Sequence, residues 1–309
     1  MAQQWRLVYD APAVKTIEDR VRQISMWKRG GQRAPHKPLL LLVALARLLR
    51  GQPRLMTFAQ VEETLVSLLR DFGPPRKSFH PEEPFCRLAN DNALWELPNI
   101  DSIAHGANNN GAFSKSLLRK EHVEAGFPPA LHQQLLADKA RANSLVTQLL
   151  EDHFPSSMHD DILDAIGMPW IALRRRRDPA FRNMILRVYE HNCAVCGFDG
   201  RLGRDDVALE AAHLMWHAEG GPDSEDNGIA LCVLHHKLLD RGAIGLDRQR
   251  RVLVSQHLIG GRSVHEHALR FAGKPLGRPQ AGVPLVAEEH IAWHRREVFR
   301  GPARQRVHL

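Results

Sequence analysis

The chain has 309 residues with four cysteines, 42 Lys and Arg side chains and 35 Asp and Glu side chains, a formal net charge of +7 at pH 7. It contains no apolar run of about 18 residues, which excludes a membrane-spanning helix, and the few cysteines argue against a disulfide-stapled scaffold. We expect a cytoplasmic protein of two domains, since single cores stop growing at roughly 250–300 residues, and the positive charge favours a polyanionic partner.

The first part of the chain has the periodicity of a helical domain. Apolar residues at helical spacing predict an amphipathic helix over residues 14–24. Residues 39–49 are nearly all apolar and directly follow a proline, so they predict a buried core helix. Thr57 with Gln60 three residues later is a capping-box pattern, which predicts the start of a third helix.

The composition then changes before helical patterning returns. Residues 76–110 are rich in Pro, Asn and aromatic side chains and predict loops with short extended pieces. Residues 130–153 and 157–167 again have helical periodicity. We expect a first domain, a linker and a second domain at residues 1–167, 168–177 and 178–309.

The second domain has a mixed pattern of short elements. Residues 180–191 follow an Asp-Pro pair and predict a helix, and residues 207–213 alternate well enough to predict a strand. Residues 229–239 have helical spacing, and residues 251–255 predict a further short strand. We therefore expect an α+β protein with a mainly helical N-terminal domain.

Two chelating pairs in the second domain predict a structural zinc site. Cys193-x-x-Cys196 and Cys232-x-x-His235 together supply three thiolates and one imidazole, a common ligand set for tetrahedral zinc. A domain this small gains much of its folding free energy from such an ion. Cys86 stands apart from both pairs, and we interpret it as a small buried apolar residue.

The segment between and after these pairs resembles the HNH motif of restriction enzymes and related nucleases. It reads CAVCG, LEAAHL, GGPDSEDNGIALC and VLHHKLLDRG within residues 193–242. The resemblance implies a C-terminal ββα-metal (HNH) domain that is braced by zinc and hydrolyses DNA as an endonuclease.

The chemistry of phosphodiester hydrolysis assigns the first catalytic residue. The reaction needs a deprotonated water and a divalent ion that neutralises charge on the scissile phosphate. His213 ends a predicted strand, and an imidazole titrates near neutral pH, so we expect His213 to be the general base. By resemblance, Asn227 orients this base and fixes the following loop. His217 and Asp240 are candidate supporting residues around the catalytic ion, although a structural or exposed role is the favoured interpretation for each.

Two adjacent histidines divide the metal-binding roles. Neighbours on a helix point about 100° apart, so one imidazole can face zinc while the other faces the active site. The family pattern assigns His235 to zinc and His236 to the catalytic ion, although Cys232 and His236 are also an i, i+4 pair and leave the swapped assignment open. Ala212 stands where the family often has Asp or His, which makes Glu210 the candidate second ligand. We expect Mg, Mn, Co or Ni as the catalytic ion.

The N-terminal half resembles the sulfur-binding domain of type IV restriction enzymes. The resemblance is carried by RAPHKPLLLL at residues 33–42, FGPPR at 72–76 and HPEEPFCRL at 80–88. That family joins such a domain to an HNH domain and cleaves near phosphorothioate-modified DNA. Sulfur is larger and less hydrated than the oxygen it replaces, so an apolar pocket with a positive rim can distinguish the two.

The same motifs supply candidate contacts for modified DNA. We expect Pro81, Pro84 and Phe85 to form the apolar wall. Cationic and imidazole side chains that can anchor the DNA backbone are Arg33, His36, Lys37, Arg76, His80 and Arg87. Glu83 replaces an aromatic residue that is common in the family, and its carboxylate would repel a phosphorothioate unless an Arg or Lys pairs with it.

The sequence therefore favours a phosphorothioate-dependent restriction endonuclease acting on double-stranded DNA. Two alternatives stay open: an HNH nuclease that reads another modification or unmodified sequence, and a zinc-braced DNA-binding module that does not cleave. Cutting both strands needs two scissions, which favours a homodimer or two successive binding events.

Overall fold

The computed structural model describes residues 15–24, 35–91, 93–107, 113–168 and 179–304. Within these residues the N-terminal half is mainly helical, and the C-terminal half combines shorter helices with two-stranded sheets. The predicted α+β class is confirmed. No helix among these residues is long and apolar enough to cross a membrane.

The N-terminal half is a helical assembly around one central helix. Its described helices are α1 (Ile17–Arg22), α2 (His36–Leu49), α3 (Phe58–Phe72), α4 (Glu82–Arg87), α5 (Lys115–Lys120), α6 (Pro129–Ala137), α7 (Lys139–His153) and α8 (His159–Ala165). One antiparallel hairpin joins β1 (Leu55–Thr57) to β2 (Glu124–Gly126). Helix α2 contacts α3, α4, α6 and α7, and most of its side chains are buried, so it is the core helix that the apolar run predicted.

Two local predictions in this half have different outcomes. The capping box is confirmed at the start of α3, where the Thr57 hydroxyl accepts from the Gln60 N–H and the Gln60 side chain accepts from the Thr57 N–H. Residues 76–110 were predicted as loops with extended pieces, but they contain α4 and the 3-10 helices Leu88–Asn90 and Ile100–Gly106. Buried apolar side chains at 84, 85 and 88 recur at helical spacing, and their burial stabilises these short helices.

The C-terminal half is built around a hairpin followed by a helix. Its described helices are α9 (Pro179–Val188), α10 (Val233–Asp240), α11 (Arg262–His267) and α12 (Glu288–Glu297). Its strands are β3 (Arg201–Leu202), β4 (Asp205–Asp206), β5 (Leu209–His213), β6 (Gly228–Cys232), β7 (Ile244–Leu246) and β8 (Val252–Val254). Strands β5 and β6 pair antiparallel, α10 follows β6 directly, and α9 packs against both strands.

The prediction of one helix over residues 229–239 was wrong in its first part. Residues 228–232 form strand β6, and the helix begins at Val233. Every residue of β6 is buried, so the strand has none of the alternation that distinguishes a half-exposed strand from a buried helix. The result is a β-β-α unit in which Cys232 ends the second strand.

The two halves pack directly against each other. The buried cluster of the N-terminal half includes Trp216, Trp293 and Val298, which all belong to the C-terminal half. The rings of Trp216 and Trp293 meet edge to face with centroids 5.8 Å apart. Most of the predicted linker, residues 169–177, lies outside the described residues.

A group of polar contacts, here called the domain seam, joins the end of α3 to the C-terminal half. The Arg300 guanidinium donates to the carbonyl oxygens of Arg70 and Asp71, both at 2.6 Å. The Arg241 guanidinium lies 4.6 Å from the centre of the Phe72 ring. Charged hydrogen bonds to helix-end carbonyls satisfy acceptors that the helix itself leaves unpaired, so the seam stabilises the contact between the halves.

Candidate metal centre and active site

Three thiols and one imidazole form a compact cluster in the C-terminal half. One ligand atom each from Cys193, Cys196, Cys232 and His235 lies within 4.8 Å of the others. The Nδ1 atom of His235 is 3.2 Å from the Cys232 sulfur, and its Nε2 atom is 2.9 Å from the carbonyl oxygen of His267. That carbonyl fixes the ring so that Nδ1 faces the thiols, an arrangement typical of a metal-ligating histidine.

The turn that carries the first two cysteines and ends at Gly197 has the geometry of a metal knuckle. Gly197 has φ +75°, which a residue with a side chain rarely adopts, and its N–H donates to the Cys193 carbonyl at 2.7 Å. Hydrogen bonds from the Cys196 and Cys232 thiols lower the pKa of Cys193 far below its usual range. A thiol held as thiolate among soft donors fits a zinc ion, as the sequence predicted.

A cavity of 790 Å³, here called the interdomain cavity, lies between the two halves. Its wall on the C-terminal side includes Glu210, His213 and His236, three of the residues that the sequence analysis assigned to catalysis. Its opposite wall comes from the end of α7 and the segment after it, including His153 and Ser156. The cavity brings the candidate catalytic groups together in one place.

His213 is held at the end of β5 by two neighbours. The Phe181 ring stacks on the imidazole with centroids 3.9 Å apart, and Asp223 Oδ1 is 2.7 Å from His213 Nε2. Burial lowers the pKa of His213 below its ordinary value, and the Asp223 carboxylate opposes this shift. The imidazole is therefore mainly neutral at neutral pH, which is the form that accepts a proton.

Asn227 fixes the loop that follows β5. Its side-chain oxygen accepts from the Met215 N–H, and its side-chain NH₂ donates to the carbonyls of Met215 and Pro222, each at 2.9 Å. Its backbone carbonyl accepts from the Leu214 N–H. A Cβ at Gly221 would stand 1.9 Å from the Met215 carbonyl oxygen, so only glycine fits beside this brace. Asn227 thus braces the backbone of the loop that directly follows His213.

His236 lies between two carboxylates on the cavity side of α10. Its Nδ1 atom is 2.8 Å from Glu210 Oε2, and its Nε2 atom is 3.2 Å from Asp240 Oδ2. Burial alone would lower the pKa of His236, but the charges of Asp240 and Glu210 raise it to about 9. The carboxylates thus favour a positive charge here, and a divalent cation bound by the Glu210 and His236 donors would supply one.

The adjacent histidines take different positions. His235 contacts the cysteines, and His236 lines the interdomain cavity. This is the arrangement that the family pattern favoured over the swapped one. Cys232 caps α10 instead of lying inside it, so Cys232 and His235 meet across the first turn of the helix.

Several of the candidate DNA-contacting residues of the N-terminal half have acidic partners within the protein. Lys37 pairs with the buried carboxylate of Asp91, and His80 Nδ1 is 2.9 Å from Glu82 Oε1. Arg76 Nη2 is 3.6 Å from Glu297 Oε2, across the domain seam. His36 begins α2, and Arg33 lies outside the described residues.

The apolar wall that the sequence predicted is not on the surface. Phe85 is 0% exposed and packs edge to face against Phe58 and Trp95. Pro81 and Pro84 are also buried. These three side chains form the inner side of the segment around α4, where apolar side chains are stabilised by packing against α2 and α3. Their role as the apolar wall of a sulfur pocket stays a prediction.

Glu83, whose carboxylate would repel a phosphorothioate unless a basic side chain paired with it, has such a partner in Arg87. Its Oε2 atom accepts a hydrogen bond from Arg87 Nε, one helical turn later. Both side chains are largely exposed, at 40% for Glu83 and 52% for Arg87. The Arg87 guanidinium offsets the carboxylate charge, so the outer face of α4 is not a bare anionic surface.

Two residues of the site, Phe181 and Asp223, were not assigned by the sequence analysis, and a third, Asp240, was assigned only a minor role. Phe181 is one apolar residue of an amphipathic helix, and nothing in its local pattern marks it. Asp223 carries a weak signal, since it lies in the segment between His213 and Asn227. Asp240 was a candidate supporting residue for which a structural or exposed role was favoured. It is buried at 1% exposure and pairs with His236, a contact that their i, i+4 spacing allows.

Comparisons with known proteins agree with both resemblances. The family model described as "ScoMcrA-like, DNA sulfur-binding domain" matches residues 14–170, and the model described as "HNH endonuclease" matches residues 193–247. A search of curated proteins found no match.

Several solved structures are similar to part of this chain. The sulfur-binding domain of ScoMcrA, solved with phosphorothioated DNA, is 21% identical with a TM-score of 0.42, over 50% of this chain and 97% of that one. The type IV phosphorothioation-dependent endonuclease ScoMcrA is 20% identical with a TM-score of 0.41, over 53% of this chain and 31% of that one. The modification-dependent endonuclease TagI is 23% identical with a TM-score of 0.28, over 43% and 41% of the respective chains.

The family models divide the chain as the structure does. The first covers the helical half, and the second covers the β-β-α unit with its Cys3His cluster and the histidines of the interdomain cavity. The chain therefore belongs to the family with a ScoMcrA-like DNA sulfur-binding domain, here joined to an HNH endonuclease domain.

Proposed function

We propose that this protein is a modification-dependent restriction endonuclease that binds phosphorothioated double-stranded DNA and hydrolyses nearby phosphodiester bonds by a one-metal HNH mechanism. The observation that carries the proposal is the grouping of His213, His236 and Glu210 on one wall of the interdomain cavity. We place the DNA-reading domain at residues 1–167, the linker at 168–177 and the nuclease domain at 178–309.

Two kinds of ion fit the donor sets. We assign zinc to Cys193, Cys196, Cys232 and His235, where it would brace the fold. We assign Mg or Mn, or alternatively Co or Ni, to His236 and Glu210, because an imidazole and a carboxylate suit hard and borderline cations. When bound, this second ion supplies positive charge that stabilises the scissile phosphate.

His213 acts as the general base in this proposal. A neutral imidazole that donates from Nε2 to Asp223 keeps a lone pair on Nδ1, and Nδ1 is the atom that takes the proton from the attacking water. Phe181 excludes solvent from one face of the ring and holds its plane. Asn227 keeps the loop after His213 in place, so the base stays at a fixed position in the cavity.

The reading face is proposed on the polar side of the N-terminal motifs. His36, Lys37, Arg76, His80 and Arg87 are assigned to the DNA backbone, where cationic side chains position the duplex. DNA phosphates would compete with the present acidic partners of these groups. Glu83 stays compatible with a phosphorothioate because Arg87 offsets its charge.

The direct test compares two duplexes that differ only in one sulfur atom. We expect the protein to cut the phosphorothioated duplex with Mg²⁺ or Mn²⁺ and to leave the unmodified duplex intact, with products resolved on a denaturing gel. Binding by fluorescence anisotropy should favour the sulfur-bearing duplex. Phosphate contacts dominate affinity, so the comparison must be made at one salt concentration.

Other outcomes of this comparison identify the alternatives. Equal cutting of both duplexes would show a nuclease that reads another modification or plain sequence. Binding without cutting would show a zinc-braced binding module. A homodimer is proposed for double-strand cleavage, and sedimentation of the protein with and without DNA tests it.

The pH dependence of cleavage tests the His213 assignment. Burial lowers the pKa of His213, whereas the charges of Asp223 and Asp240 raise it and a charged His217 lowers it. The base is active when neutral, so we expect the rate to fall only below the ordinary pH range of histidine titration. Asp223→Asn removes one raising charge and should move this fall to still lower pH, measured as single-turnover rates across a pH series. An unchanged or upward-shifted profile would contradict the pairing.

A further inference from the structure

We propose that Ser157, in the N-terminal half, is a positioning residue for the nuclease site: it holds Asp240, which in turn orients His236 toward the catalytic ion. The DNA-reading domain would thus complete the ion site of the nuclease domain. The inference rests on the proposed function in one respect, the assignment of His236 as a ligand of that ion.

The contact is made by the short segment between α7 and α8. Ser157 lies in the 3-10 helix Ser156–Met158, and its hydroxyl donates to Asp240 Oδ2. Its backbone carbonyl accepts from the Lys237 ammonium, which also lies 2.8 Å from the Asp161 carboxylate. Side chains one turn apart on α10 are therefore fixed against the N-terminal half at several points.

Asp240 transmits this constraint to His236. The carboxylate is only 1% exposed, and the same Oδ2 atom that accepts from Ser157 lies 3.2 Å from His236 Nε2. A buried carboxylate with two fixed donors has little freedom to rotate. It accepts from the Nε2–H of His236 and so holds the ring with Nδ1 facing Glu210, 2.8 Å away.

This arrangement repeats a general feature of metal sites. A ligating histidine is oriented by a carboxylate on its other ring nitrogen, and loss of such a partner costs about 10- to 100-fold in metal affinity or activity. Here the carboxylate has its own support, and that support comes from the other domain. Removal of the Ser157 hydroxyl leaves the Asp240 carboxylate buried with one donor fewer, so its position and the ring orientation of His236 become less well defined.

The test measures Mn²⁺ binding to the full-length, zinc-loaded protein by electron paramagnetic resonance, without DNA. We expect Ser157→Ala to weaken Mn²⁺ binding by about tenfold, and Ser157→Thr, which keeps the hydroxyl, to restore most of it. His236→Ala should abolish this binding and thereby identify the site. Long-range ¹H–¹⁵N spectra of the protein loaded with diamagnetic Mg²⁺ should show His236 protonated on Nε2 in the wild type and a mixture of ring states in Ser157→Ala.

Ser67→Ala is the matched control. Ser67 is exposed on α3 and also donates to a carboxylate, Asp71, at 3.3 Å, but that carboxylate belongs to the reading domain. The Mn²⁺ affinity of the Ser67→Ala variant should equal that of the wild type. Wild-type affinity in Ser157→Ala, an equal loss in Ser67→Ala, or Mn²⁺ binding that survives His236→Ala would each overturn the inference.

The test also separates this inference from the proposed function. Failure of the wild type to cut phosphorothioated DNA, together with the expected loss of Mn²⁺ affinity in Ser157→Ala, would reject the proposed function and support the positioning role. Normal cutting by the wild type together with unchanged Mn²⁺ affinity in Ser157→Ala would support the proposed function and reject the positioning role of Ser157.

Discussion

We expect His213→Ala to lower the single-turnover rate of DNA cleavage by about 10²- to 10⁴-fold, the range for loss of a general base. The imidazole is the half-buried base candidate at the end of β5, and the substitution removes both the proton acceptor and the ring that stacks on Phe181. DNA binding should be nearly unchanged, because the reading face lies on the other half of the chain. The rate is measured on phosphorothioated duplex at saturating enzyme.

An exposed histidine provides the control for this substitution. His265 lies on α11 with its side chain in solvent, so His265→Ala should cleave at the wild-type rate. The zinc content of both variants should match that of the wild type. Cleavage by His213→Ala within about tenfold of wild type would exclude His213 as the general base, since even a weak base contributes more than this.

Removal of the zinc site should have the largest effect on folding. Cys196→Ala takes away one of four clustered ligands, and structural zinc contributes about 10–16 kcal/mol to the folding of zinc-finger peptides. That contribution is comparable to the whole stability of an ordinary domain, about 5–15 kcal/mol. We therefore expect the variant to lose zinc and the β5–β6–α10 unit to unfold, measured by elemental analysis and by loss of hydrogen-exchange protection in β5 and β6.

The fourth cysteine supplies a matched control. Cys86 is half-buried on α4, and burial raises the pKa of its thiol to about 12, so it is an unreactive apolar side chain. Cys86→Ala should retain zinc and protection in β5 and β6. The zinc assignment would be wrong if Cys196→Ala kept one equivalent of zinc and the wild-type exchange pattern.

The sequence predicted those features that are encoded by spacing. Two C-x-x-C/H pairs predicted the Cys3His cluster, because a short turn and a helix start each present two ligands in a fixed geometry. The order of His213, Asn227 and His236 placed the candidate site between these pairs and directly after the second one. Such motifs are local, so they can be recognised without knowledge of how distant segments pack.

Other features depend on contacts between distant parts of the chain. Phe181 reaches His213 because α9 packs on β5, and Ser157 reaches Asp240 because the two halves meet. The HPEEPF segment gave no sign that Phe85 points inward, since an aromatic beside prolines has the same sequence pattern in a core and in a surface pocket. Burial of this kind is decided by the neighbouring helices, not by the segment itself.

The domain seam limits how this nuclease can be recombined with other DNA readers. Arg300, near the end of the described chain, holds carbonyls of α3, and Arg241 lies on Phe72 of the same helix. A chimera that transplanted residues 178–309 onto an unrelated targeting module would lose both of these supports. Engineered fusions should therefore include the C-terminal end of α3 together with the nuclease domain, or provide an equivalent contact surface on the new targeting module.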